Sequence, residues 1–186
     1  PAAVAAAAHP EPVQKAFNPR GAVYGAPANA SMVVIQARTA GARVEDAKVA
    51  DAVTQLSELK SLGIDTILDP TVLGLGRYLP RVQRVAAQVD VNIVAATGLY
   101  TYNEIPFQFH YTGPGLLFDV PEPLTELFVK DLTEGIADTG VRAGFLKCAI
   151  EEQGLTPGVE RVMRAVGTTS MQTGAPVTVH TNPHTR

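Results

Sequence analysis

The chain has one cysteine, Cys148. That excludes an internal disulfide framework and fits a reducing, cytoplasmic compartment. No apolar run approaches the roughly 20 residues of a membrane span, so no membrane role is expected. An excess of one charge is also missing. The 15 basic and 18 acidic residues are mixed along the chain and leave a formal charge of −3. Without a basic stripe, nucleic acid is not an expected partner. The start, Pro1–Ala8, is alanine-rich but carries no basic stretch, so no secretory signal is expected. Gly74-Leu-Gly-Arg77 lacks both the lysine of a P-loop and the third glycine of a dinucleotide fingerprint.

What is present divides at about residue 42. Residues 1–42 carry Pro1, Pro10, Pro12, Pro19 and Pro27 among many alanines and are expected to be largely irregular. One run there, Met32-Val-Val-Ile35, reads as a candidate strand. From Arg43 the texture is regular. Helices are expected over Val44–Leu62, Arg77–Gln88, Pro123–Ala137 and Pro157–Gln172. Strands are expected over Thr66–Leu68, Asn92–Ala96, Gly144–Ala149 and Val177–His180, with a long loop from Leu99 to Pro121. The alternation predicts an α/β protein with a parallel βα array. By pattern alone, a small doubly wound sheet would read the same way.

Two of these strands end on functional groups. Val141–Ala149 is an apolar run with Lys147 near its end, and Pro176-Val-Thr-Val-His180 closes on a histidine. Successive parallel strands put equivalent ends on one rim, where α/β folds hold their active sites. A lysine near apolar side chains has its charged form disfavoured. The neutral amine can add carbon dioxide and become a carbamate, an oxygen ligand for metal. Lys147 and His180 therefore suggest half of a metal site. The alternative for Lys147 is a strand-end lysine whose ammonium reaches water. Cys148, its neighbour, points to the opposite face and reads as a buried apolar residue rather than a nucleophile.

Seven blocks in order carry a resemblance. They are Leu59-Lys-Ser-Leu-Gly-Ile-Asp-Thr-Ile-Leu-Asp69, Gly74-Leu-Gly-Arg-Tyr78, Ala95-Ala-Thr-Gly-Leu-Tyr-Thr-Tyr-Asn103, Gly135-Ile-Ala-Asp-Thr-Gly140, Gly144-Phe-Leu-Lys-Cys-Ala149, Thr156-Pro-Gly-Val-Glu-Arg161 and Thr173-Gly-Ala-Pro-Val-Thr-Val-His-Thr181. Over Arg43–Arg186 the chain resembles the phosphotriesterase family of the amidohydrolase superfamily, particularly its lactonase-like and phosphotriesterase-homology members. The resemblance implies a partial (β/α)8 TIM barrel over residues 43–186, roughly the first five βα units, behind an irregular segment 1–42. A complete barrel needs at least about 200 residues, so about its first half is expected here.

The resemblance implies a binuclear metal-dependent hydrolase of lactones or phosphotriesters. Two divalent metals, zinc or else cobalt, iron or manganese, would hold a hydroxide that attacks the substrate. Lys147 matches the carboxylated lysine that bridges the metals, a metal and catalytic position, and His180 matches a further metal ligand. Tyr100 matches a pocket-lining position that is a tyrosine in lactonase-like members, and Tyr102 is a second substrate-binding candidate. For both tyrosines, loop packing is the alternative.

The pattern also has gaps. No His-x-His occurs in the sequence, and Gln36 stands where a first-strand ligand is expected. The family's later histidine and catalytic aspartate have no match before Arg186. Metal binding by this chain is therefore expected to be weak or absent, and the chain alone is expected to be inactive. The competing expectation is a non-catalytic truncated remnant, or half-barrel, that has lost the metal site. A homodimer of half-barrels is a further expectation, since an open half-barrel leaves strand edges exposed. Other polar residues have blander readings. His9 reads as a solvated tail residue, His110 as a packing or subunit-contact residue, and His184 and Arg186 as polar loop residues. Asp69 reads either as a hydrogen-bond partner to a ligand or as a turn carboxylate.

Overall fold

The computed structural model describes the backbone of residues 31–182 and the side chains of residues 44–182. His9, His184 and Arg186 lie outside these residues. The chain divides into two compact units. One contains the described residues up to Asp65 together with Arg81–Val91. The other contains Thr66–Pro80 and the described residues from Asn92.

The first unit is built on helix α1, Ser31–Ser61. This corrects two expectations: Met32–Ile35 is helical rather than a strand, and residues 31–42 are not irregular. A four-residue apolar run does not by itself distinguish a strand from a turn of helix. Ion pairs tie α1 to the segment after Pro80. Glu45 receives two hydrogen bonds from Arg81, at 2.6 and 2.8 Å. Lys60 reaches Asp65 at 2.7 Å and Asp90 at 3.0 Å.

The second unit holds a four-stranded sheet in the order β1-β2-β3-β4. The strands are β1 Thr66–Asp69, β2 Asn92–Gly98, β3 Phe145–Ile150 and β4 Val177–Thr181. All three pairings are parallel. The order never reverses, so the sheet lacks the switch point of a flavodoxin-like fold and runs like consecutive staves of a barrel. Among the described residues it has four strands, not five, because the candidate first strand is part of α1.

Between β1 and β2 lies helix α2, Leu79–Ala86. It starts later than Arg77 because that side chain turns inward, donating to Ala96 O at 3.0 Å and to Asp131 Oδ2 at 3.0 Å. Thr97 donates to the same carboxylate oxygen at 2.7 Å. Two further helices, α3 Pro123–Thr133 and α4 Pro157–Thr173, pack on β2 and β3. Helix α3 stops short of Ala137 because Gly135 and Ala137 take positive φ, 146° and 51°, which helical residues do not. Helix α4 opens with Thr156 accepting from Val159 N–H and Pro157 in the first turn.

The main core lies between helices and sheet: Leu99, Leu124, Phe128, Leu146, Cys148, Val162, Ala165 and Val166. A smaller cluster, Val72, Ala96 and Phe145 with Val94 and Tyr100 against it, covers the other face. The long loop after β2 is held by Arg161, which donates to Phe109 O and Thr112 O and pairs with Glu122.

Candidate functional site

Strand register decides which side chains meet. Gly98 pairs with Lys147, Lys147 with Thr178, and Ala149 with His180. Paired residues of parallel strands share a face, and alternate residues along one strand share it too. Lys147 and His180 therefore project from the same face, one strand apart and near the carboxyl ends. Leu146 and Cys148 project into the helix-side core. The close approach of β2 to β3 depends on Gly98, whose φ is 137° and where an added Cβ would lie 1.9 Å from Lys147 O.

Lys147 is only 6% exposed. Burial pushes its pKa below the ordinary lysine value, opposed by the nearby Cys148 and Glu151. Its Nζ lies 5.7 Å from the centre of the Tyr100 ring. The His180 ring is 5.7 Å from the same tyrosine, tilted by 40°. Tyr100 thus stands against both residues. Tyr102 meets Tyr100 edge-on at 5.9 Å but is largely exposed.

The residue that sequence reasoning missed is Glu151. It is buried, and it accepts the Tyr100 hydroxyl and Asn182 Nδ2–H, the latter at 3.3 Å. His180 Nε2 lies 3.4 Å from its Oε1. The Tyr100 hydrogen bond lowers its pKa most, with Asn182, His180 and Lys147 adding to this and burial opposing it. Burial and the adjacent carboxylate push the Tyr100 hydroxyl up to about 12, so it stays protonated as a donor. The signal was available: Glu151 falls four residues after Lys147, hence on the same face if the strand's alternation continues.

Other candidates resolve as packing groups. Cys148 is fully buried with its Sγ 3.3 Å from Met163 Sδ, and burial raises its pKa, as suits an unreactive thiol. His110 stacks on Phe107, with Nε2 2.7 Å from Ile105 O. Asp69 accepts from Thr71 N–H at 3.0 Å, the turn role. Among the described residues, no group of three His, Cys, Asp or Glu side chains is placed to hold a metal ion. Lys147 and His180 by themselves are too few donors for a two-metal centre.

Comparisons with known proteins bear on the family and the fold. A phosphotriesterase homology protein of Mycobacterium tuberculosis is 61% identical over 138 residues, which are 74% of this chain and 42% of that protein. An aryldialkylphosphatase of Saccharolobus solfataricus is 37% identical over 140 residues, again 42% of its length. A solved structure titled as the phosphotriesterase from Mycobacterium tuberculosis superposes with a TM-score of 0.72 at 60% identity, covering 75% of this chain and 43% of that one. The chain thus spans less than half the length of these relatives, and its sheet is part of a TIM barrel. The family model of the phosphotriesterases matches residues 29–186, both rim residues included, and the chain belongs to that family.

Proposed function

We propose that this chain carries part of the active site of a metal-dependent ester hydrolase acting on lactones or phosphotriesters. The observation behind it is the placement of a buried Lys147 and of His180 on one sheet face around Tyr100. The lowered pKa favours the free amine of Lys147. That amine adds carbon dioxide to form a carbamate and release a proton. Lys147 in this form and His180 would hold divalent metal, zinc or a similar ion. When bound, such metals polarise the phosphoryl or carbonyl oxygen and lower the pKa of water. The chain's other residues position and enclose. Tyr100 gives the substrate a rigid wall, and Tyr102 lies at its open edge. The similarity to an aryldialkylphosphatase supports an organophosphate substrate. The tyrosine at position 100 supports a lactone.

Two expectations follow for residues 1–186 alone. Metal retained after dialysis falls well below two ions per chain, and turnover stays near background. The substrate test uses a chain extended to the relatives' full length, assayed on a lactone and an aryl phosphotriester with added Co2+. Preference for the lactone is expected. Robust metal-dependent turnover by residues 1–186, lost in His180→Ala, would mean that other groups complete the site. A second reading, a non-catalytic half-barrel, is favoured by the incomplete donor set among the described residues. It requires that the extended chain also be inactive.

A further inference from the structure

Glu151 brings together the ends of three strands. Its side chain is 10% exposed. Tyr100, just past β2, donates its hydroxyl to Oε1. Asn182, just past β4, donates to Oε2 at 3.3 Å. His180, on β4 itself, sets Nε2 3.4 Å from Oε1. Removing a carboxylate from water is costly unless donors replace the solvent, and here they come from neighbouring strands. The contacts constrain the partners as well. A neutral imidazole has one N–H and one lone pair, so an Nε2–H facing Glu151 leaves the lone pair on Nδ1. A tyrosine hydroxyl has one proton, and that of Tyr100 is committed to Glu151.

We infer that Glu151 is a positioning residue of this site, fixing the His180 ring so that Nδ1 is the free nitrogen and fixing the Tyr100 hydroxyl as a donor into the protein. The inference rests on the reading of Lys147 and His180 as site residues. It adds that a substrate meets the Tyr100 ring and the lone pairs of its oxygen, not its proton.

The test is NMR of residues 1–186 without metal, at a pH well above the ordinary histidine value. The wild-type chain should show an exchange-protected hydroxyl proton that disappears in Tyr100→Phe, and His180 in a single tautomer protonated at Nε2. In Glu151→Ala, hydroxyl exchange should speed up about tenfold or more, the scale set by a hydrogen bond to a charged group. The His180 tautomers should then mix. Glu151→Gln, whose amide oxygen still accepts, should restore most of the protection. A loss of packing alone would not be rescued in this way. An unprotected Tyr100 hydroxyl, or His180 protonated at Nδ1, in the wild-type chain would overturn the inference even if Glu151→Ala fails to fold. Equal exchange in wild type and Glu151→Ala would overturn it too. Zn2+ is added last. Because residues 1–186 are expected to bind metal weakly, it is added to a chain of the relatives' full length, where a protected hydroxyl with no Zn2+ response at His180 upholds the role of Glu151 and counts against the metal reading.

Discussion

At the scale of single residues, the site is organised by burial. Lys147 is held in a sheet face where its ammonium is poorly solvated, and its pKa falls. The unfolded chain then binds that proton more tightly than the folded one. Stability should therefore rise with pH between the lowered value and the ordinary 10.5, and the cost is full below that window. Lys147→Met should raise Tm at neutral pH by about 2–4 °C, the shift that ~1 kcal/mol gives a chain of this size. The gain should shrink as pH approaches the ordinary lysine value. Thermal melts across that range check both the sign and the window. Lys147 and His180 were legible in the sequence because both close apolar runs. Glu151 was missed: its place four residues after Lys147 put it on the same face, but it follows the apolar run and its partners Tyr100 and Asn182 are distant in sequence.

At the scale of elements, β2, β3, β4, α4 and most of α3 followed from periodicity, Pro at helix starts and Gly at helix ends. The misses have physical causes. Met32–Ile35 has strand-like composition, yet it continues into α1. Arg77 was read as the start of α2 but serves a buried ion pair whose other members, Asp131 and Thr97, lie far along the chain. Such pairing is invisible to local pattern. It joins β2 to α3 and so fixes the strand that ends at Gly98. Asp131→Ala would leave Arg77 buried without its counter-charge and should cost about 3–5 kcal/mol. Urea denaturation should show this as a lower midpoint with an unchanged slope.

At the scale of the whole molecule, β1 and β4 are the sheet's two ends in the described residues. Val177 and Val179 of β4 sit on the face that carries Leu146 and Cys148 in β3, yet they remain exposed by 39% and 37%. In the relatives, more than half of the protein lies outside the matched region. An uncovered parallel strand with apolar residues is a template for association. Residues 1–186 should associate as concentration rises, and Val179→Lys should reduce this in light scattering while leaving the circular dichroism unchanged. The partial barrel itself was legible through the seven matched blocks. Its strand count was not, because only the backbone shows where the first candidate strand went.

The central claim is that Lys147 and His180 are two members of one hydrolytic site. The most direct test is Co2+-dependent lactone turnover by a chain of the relatives' full length, compared with its Lys147→Ala and His180→Ala variants and with residues 1–186. The account predicts turnover by the full-length chain, a loss of at least about 100-fold in each variant, the upper end for disturbing a metal site's supporting residues, and near-background rates for residues 1–186. Full-length turnover that survives both substitutions in folded protein would contradict it.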